Sequence, residues 1–203
     1  MIIDQKIKMI FLSSGGTVYG NQEIQPITED ALPRPINHYG NVKLCIENTI
    51  RTFNYQAHTK ILIARISNPY GPGQDFNKGV GFIDAAIKKT IRSEKIEIWG
   101  DGNNVRDYIY IDDVCRMLIS LFYYQGDYDT FNISSNTGTS QRDVIRMLEA
   151  LQLAPQVEYL PARSVDAKKI ILNNERIMSI HAVPLVPVEQ GIRKYYQWLK
   201  KEI

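Results

Sequence analysis

The chain has 203 residues, of which 44% are hydrophobic and 23% charged, as expected for a soluble globular protein with one sizeable core or two small ones. Its formal net charge is only +2, and the basic residues are scattered, so it lacks the concentrated positive field of nucleic-acid-binding proteins. No apolar run is long enough to span a bilayer and no signal peptide is visible. We therefore expect a cytoplasmic protein that binds neither nucleic acid nor membrane.

Strands alternate with helices along the chain, which indicates an α/β protein with mostly parallel strand pairing. In the first half of the chain, the patterns predict a strand at 8–13, a loop at 21–37, a helix at 39–55, a strand at 60–66, a loop at 67–74 and a helix at 82–92. A strand and turn follow at 95–102, and a strand from 106 leads into a helix that is capped by Asp112 and ends near 124. The last predicted elements are a strand at 130–135, a helix capped by Thr139 or Ser140, a short strand at 157–163 and a terminal helix from 186. Cys45 and Cys115 are interpreted as reduced core residues, with a disulfide between them as the alternative.

The stretch "FLSSGGTVYGNQ" is typical of a buried strand that opens into a site at its carboxyl end. Further along, Tyr39 and Lys43 are four residues apart and share one face of the predicted helix. A lysine ammonium beside a phenol favours the phenolate, which can act as a general base toward a sugar or alcohol hydroxyl. The pair alone is a weak signal, because Y-x-x-x-K occurs often by chance.

The pair gains weight from the motifs around it. In order, these are "SSGGTVYG", Y-x-x-x-K, "RISNPYGPGQ", "GDGNNVRDYIYIDDV", "FNISSNTGTS" and "PARSVD". Together they closely resemble the extended short-chain dehydrogenase/reductases, the NAD-dependent nucleotide-sugar epimerases and dehydratases. Within that family the UDP-glucose 4-epimerases look most similar. The resemblance covers nearly the whole chain.

The resemblance implies the C-terminal part of a Rossmann-like, mostly parallel sheet plus a small α/β substrate-binding domain. Residues 1–68 would be the remainder of the dinucleotide-binding domain, and residues 69–203 mainly the nucleotide-sugar domain, with 103–132 returning to the Rossmann sheet. No G-x-G-x-x-G turn follows a strand in this sequence. We therefore expect the N-terminal NAD-binding half to be absent, roughly 90 to 100 residues at about 30 per βαβ unit.

The chemistry implied by the resemblance is transient oxidation at C4 of the sugar by NAD. Tyr39 would take the proton of the 4-hydroxyl while C4 gives hydride, and Lys43 would assist it and bind the nicotinamide ribose. Family members usually add a serine or threonine at the position that is Gly15 here, so Ser14 or Thr17 must take that role. The expected cofactor contacts, besides Tyr39 and Lys43, are Ser13, Ile66 and Pro69.

The substrate half of the motif set looks complete. The resemblance assigns Arg106 and Arg163 to the diphosphate, where planar guanidinium groups make charge-assisted contacts. It assigns Asp166 to the nucleoside ribose, and Ile98 and Trp99 to the two sides of the uracil. The full set of expected substrate-binding residues is Asn68, Ile98, Trp99, Arg106, Tyr108, Arg163 and Asp166. No metal site is expected.

The same resemblance argues against dehydration. Sugar 4,6-dehydratases carry an Asp-Glu pair where this chain has Gly16 and Thr17. Three alternatives remain open: an epimerase-type portion that is inactive alone, a non-catalytic nucleotide-sugar-binding remnant, and a half-enzyme completed by a separate N-terminal chain. We expect a homo-oligomer in each case, and the identity of the sugar is not fixed by the motifs.

Overall fold

The computed structural model describes residues 8–74, 81–162 and 168–202, and it confirms an α/β fold with mostly parallel strand pairing. The strands are β1 (Ile10–Ser14), β2 (Leu62–Ile66), β3 (Asn68–Tyr70), β4 (Lys95–Trp99), β5 (Val105–Tyr110), β6 (Thr130–Ile133), β7 (Gly138–Ser140), β8 (Gln156–Leu160) and β9 (Lys169–Ile170). The helices are α1 (Gly15–Val18), α2 (His38–Ala57), α3 (Phe82–Ile91), α4 (Ile111–Tyr123), α5 (Gln141–Ala150), α6 (Glu175–Met178) and α7 (Val188–Glu202).

The first sheet is parallel and has the strand order β1-β2-β6. Helix α2 connects β1 to β2, so the three elements form a βαβ unit. The second sheet is built around β5, which pairs with β3 and β9 in parallel and with β7 antiparallel. A third, two-stranded parallel sheet joins β4 to β8. Within residues 103–132, α4 and β6 therefore contact the first sheet, whereas β5 lies in the second.

Strand β5 separates the two main hydrophobic clusters. Because side chains alternate along a strand, Tyr108 and Tyr110 pack into a cluster with α3, β4, α5 and α7. Ile109 points the other way, into a cluster formed with α4 and the parallel sheet. At this junction β2 leads through Ser67 into β3, which pairs with β5, and Gly16 after β1 approaches Asn68.

Two local predictions are wrong. Asp112 does not cap α4: the strand runs straight into the helix, Tyr110 occupies the cap position without a side-chain bond, and Asp112 lies in the first turn. Cys45 and Cys115 are free and exposed rather than buried, because the described residues leave uncovered the helix faces on which they lie. The structure also shows a short strand, β3, where the sequence predicted a loop, and a short helix, α1, in a segment for which the sequence predicted no element.

The helix start at Ser140 agrees with the prediction. Its hydroxyl accepts from the Asp143 backbone, and the Asp143 carboxylate accepts from the Ser140 backbone, which is a capping box. Among the described residues, no helix is both long enough and apolar enough to cross a membrane, and no group of histidine, cysteine and acidic side chains is arranged to hold a metal ion.

Candidate functional site

Helix α2 begins in close contact with the segment that follows β1. The Asn37 side chain caps it by accepting from the Gly40 N–H at 2.8 Å. A Cβ atom on Gly40 would lie 2.5 Å from the Thr17 carbonyl oxygen, so only glycine permits this approach of two backbones. The first turn of α2 is therefore fixed against α1, which places Tyr39 beside the carboxyl end of β1.

Tyr39 and Lys43 come together as the spacing predicts. The Lys43 ammonium donates to the Leu12 carbonyl at 2.9 Å and lies 5.6 Å from the centre of the Tyr39 ring and 5.0 Å from that of Phe11. The Tyr39 side chain is 57% exposed. The phenol is thus held next to a cation at the strand end while staying accessible to a ligand.

The neighbouring hydroxyls and glycines have distinct orientations. Gly15, where the resemblance led us to expect a third hydroxyl, is buried: a Cβ there would collide with the Leu172 side chain, so a side chain would point into the core. At Gly16 there is room, because a Cβ would lie 3.8 Å from Asn68 Oδ1. Ser14 and Thr17 flank these glycines, and Thr17 Oγ1 lies 3.5 Å from the Ser14 carbonyl.

Ser13, expected at the cofactor, takes part in a buried polar cluster instead. Its hydroxyl donates to Glu47 Oε1 at 2.6 Å, and Arg65 Nη2 donates to Glu47 Oε2 at 2.7 Å. Burial alone would raise the pKa of Glu47, but the hydrogen bonds and charge of Arg65 outweigh it and lower the pKa. Arg65 also donates to the Tyr19 hydroxyl at 2.8 Å. The cluster ties α2 to β1 and β2 directly behind Lys43.

A cavity of about 250 Å³ lies where β3, β4 and β5 meet the start of α3. Five of the predicted site residues line it: Asn68, Pro69, Trp99, Arg106 and Tyr108. Arg106 and Tyr108 both face the cavity because they are two residues apart on one strand. Burial raises the pKa of the Tyr108 phenol to about 12, so it remains a neutral hydrogen-bonding group at physiological pH.

The cavity also contains residues that were not among the predicted substrate or cofactor contacts. Gln74, Asn104 and Gln141 contribute amide groups, and Asp84 contributes to the wall formed by α3. Asp84 forms a buried ion pair with Lys88 at 2.8 Å. Gln74 and Asn104 lie within two of the quoted motifs, whereas Asp84 and Gln141 lie in the first turns of α3 and α5, which no motif includes.

The sequence also predicted Ile98, Arg163 and Asp166 as substrate contacts and Ile66 as a cofactor contact. Ile98 does not line the cavity: strand alternation turns its side chain away from that of Trp99 and buries it fully in the core. Arg163 and Asp166 lie outside the described residues. Ile66 is the last residue of β2 and packs partly buried against the cluster under α4.

The model of the NAD dependent epimerase/dehydratase family matches residues 1–134 of the chain. The chain belongs to this family. A putative UDP-glucose 4-epimerase of Methanocaldococcus jannaschii is 28% identical over 95% of this chain and 63% of its own length. A dTDP-4-dehydro-6-deoxyglucose reductase of Escherichia coli is 34% identical over 92% of this chain and 60% of its own length.

The solved structures agree with this family membership. The crystal structure of UDP-glucose 4-epimerase from Thermotoga maritima with UDP-glucose superposes with a TM-score of 0.89 at 31% identity, over 96% of this chain and 64% of that one. The chain therefore spans less than two thirds of the length of these family members. Because the relatives include epimerases and a reductase, family membership alone does not fix the reaction.

Proposed function

We propose that the chain is the part of a nucleotide-sugar 4-epimerase that binds the UDP-sugar and supplies the general base. The substrate would be UDP-glucose, UDP-galactose or a related UDP-sugar, oxidised transiently at C4. The observation that carries this proposal is the assembly of Tyr39 and Lys43 at β1, together with a cavity lined by Asn68, Trp99 and Arg106. The proposal includes the domain division predicted from the sequence. Residues 1–68 carry the general base, and residues 69–203 mainly bind the nucleotide sugar.

Each residue has a defined task in this proposal. Tyr39 takes the proton of the 4-hydroxyl, and the adjacent Lys43 ammonium stabilises the resulting phenolate. Arg106 binds the diphosphate through charge-assisted hydrogen bonds, and Asn68 hydrogen-bonds the sugar diphosphate. Trp99 offers an aromatic face to the uracil of the UDP-sugar. Ser14 or Thr17 hydrogen-bonds the reacting oxygen.

The residues present fit one end of NAD better than the other. The exposed pair Tyr39 and Lys43 can hold the nicotinamide ribose, and the bound cofactor would supply the hydride acceptor at C4. For the pyrophosphate, family-type sites use a glycine-rich turn at a helix N-terminus, and the sequence contains no such turn after a strand. We therefore expect the chain alone to retain no NAD on purification and to show no epimerase activity.

Titration calorimetry with UDP and with NAD tests this function. We expect weak stoichiometric binding of UDP and no binding of NAD. Replacing Arg106 with glutamine should weaken UDP binding about tenfold or more, since a hydrogen bond to a charged group is worth about 1.5–3 kcal/mol. The matched control is Arg146→Gln, which removes an arginine from an exposed ion pair on α5 and should leave the affinity unchanged.

Two outcomes would contradict the proposal. Stoichiometric NAD binding would mean that the cofactor site is complete without further residues. If UDP does not bind at all, the chain is better explained as a remnant without a present ligand. A half-enzyme completed by a separate N-terminal chain is the second candidate, and it predicts that UDP binding tightens when that partner is added.

A further part of the proposal is that the chain forms a homo-oligomer. Of the described residues of α2, Gly40 and Glu47 are the fully buried ones, while Val42, Ile46 and Phe53 form an exposed apolar stripe at helical spacing. Such a stripe is stabilised by a partner that covers it. Light scattering at micromolar concentration should show a species larger than the 23.3 kDa chain. A uniform monomer under those conditions would count against this proposal.

A further inference from the structure

The carboxylate of Asp107 lies at the junction between the parallel sheet and the sheet built around β5. The residue is fully buried. One oxygen, Oδ1, accepts from the Ser135 N–H at 2.9 Å, the Ser135 hydroxyl at 2.8 Å and the Ser67 hydroxyl at 3.3 Å. The other, Oδ2, accepts from the Asn136 N–H at 3.1 Å and the Leu172 N–H at 3.3 Å. The Asp107 side chain thus contacts three segments, which follow β2, β6 and β9.

The residues on either side of Asp107 face the ligand cavity. Arg106 and Tyr108 point into it from the opposite face of β5. On the neighbouring strand, Asn68 directly follows Ser67 and donates its amide to the Asp107 backbone carbonyl at 2.9 Å. The carboxylate therefore holds β5 from the face opposite the cavity, while Arg106 and Tyr108 of β5 and Asn68 of the paired strand β3 face the cavity.

We propose that Asp107 is a positioning residue that holds Arg106, Tyr108 and Asn68 in the geometry needed to bind a nucleoside diphosphate. It touches no ligand itself and acts through the backbone of β5 and through Ser67. The inference deepens the proposed function and rests on it for the nature of the ligand. The positioning can nevertheless be measured without any ligand.

The hydrogen-bond pattern around Asp107 suits two acceptor oxygens, as in the ionised carboxylate, whereas burial disfavours the charge. All the groups that contact its two oxygens are uncharged donors, from backbone amides and serine hydroxyls. Burial raises the pKa of Asp107 to about 6, although these hydrogen bonds oppose the shift. Because this pKa lies above its unfolded value, the ionised carboxylate costs stability as pH rises through about 6. Below that pH a proton on one oxygen competes with the donors, and the contacts behind β5 loosen.

The experiment follows the Tyr108 ring by ¹⁹F NMR in the full chain labelled with 3-fluorotyrosine, with the resonance assigned by Tyr108→Phe. In the wild-type chain we expect the resonance to titrate with a midpoint near pH 6. Ser135→Ala removes one donor to the carboxylate and should move the midpoint to higher pH. Ser179→Ala is the control, since that hydroxyl bonds the Arg176 carbonyl on the surface and should leave the midpoint unchanged.

Asp107→Asn separates this titration from that of the histidines. The variant retains His38, His58 and His181, so any pH response that arises from the histidines stays and only the contribution of Asp107 should vanish. A wild-type Tyr108 resonance that does not move between pH 5 and 7.5, or one that moves identically in Asp107→Asn, overturns the inference. If Asp107→Asn does not fold, Ser67→Ala and Ser135→Ala decide, and an unchanged midpoint in both has the same consequence.

A ligand measurement distinguishes failure of this inference from failure of the proposed function. At pH 7, Ser135→Ala should bind UDP about threefold to tenfold more weakly than the wild type, the range for losing one hydrogen bond. Wild-type UDP binding that is unaffected in Ser135→Ala contradicts the positioning role and leaves the nucleotide site intact. The expected ¹⁹F titration without any UDP binding supports the role of Asp107 in shaping the cavity and contradicts the proposed ligand.

Discussion

Glu47→Gln is expected to destabilise the chain by about 3–5 kcal/mol, because it leaves the Arg65 guanidinium buried without its charge partner. Both side chains of this pair are almost completely buried and joined at 2.7 Å. The neutral amide can also accept fewer of the hydrogen bonds now donated by Arg65 and Ser13. A loss of this size is a large fraction of the roughly 5–15 kcal/mol that stabilises a typical domain.

Urea denaturation followed by circular dichroism measures the difference. The matched control is Glu158→Gln, which breaks an exposed ion pair with Lys95 at 3.2 Å. An exposed pair of this kind is worth about 0–1 kcal/mol. If Glu47→Gln costs no more than Glu158→Gln, the buried pair does not anchor α2 to the sheet. Replacing both Glu47 and Arg65 with apolar residues should recover much of the loss, since no fully buried charge is then left unpaired.

Tyr39→Phe is expected to lower epimerase turnover by at least about a hundredfold, the usual scale for losing a general base. The assay requires the segment that the longer relatives carry in addition, supplied as a fused or separate chain. The substitution removes only the hydroxyl, so the ring contact with Lys43 is retained and UDP binding should be unchanged. Interconversion of UDP-glucose and UDP-galactose is the measurement.

Tyr55→Phe on the same helix is the control for this prediction. That side chain is 84% exposed and lies about four and a half turns from Tyr39, so turnover should stay at the wild-type level. Near-normal turnover by Tyr39→Phe would rule out this tyrosine as the base. An equal loss in both variants would indicate damage to α2 rather than to the chemistry.

Hydrophobic periodicity was sufficient to predict the alternating strands and helices, because burial on one face repeats at the period of each element. Helical spacing was also sufficient to predict that Tyr39 and Lys43 lie close together, because both residues are on one helix. The same reasoning failed for Cys45 and Cys115. Their apolar neighbours are typical of a buried face, but whether a helix face is covered depends on elements distant in sequence.

The polar residues that hold the site together could not be predicted from local patterns. Glu47 meets Arg65 from 18 residues away, and Asp107 meets Leu172 from 65 residues away. Each is an acidic residue that a sequence pattern would place on a surface, and only the packing of strands and helices buries it next to its partners. Gly15 is a related case: counting along the motif identifies the position, but the structure shows that a side chain there would face the core.

A crystal structure of the chain with UDP tests the proposed site most directly. The diphosphate is expected against the Arg106 side chain, in the cavity between Asn68 and Trp99. The uracil is expected beside the indole ring of Trp99. The result that would contradict the proposal is UDP bound elsewhere with this cavity empty. One such place is the groove of about 510 Å³ beside Val186 and Pro187.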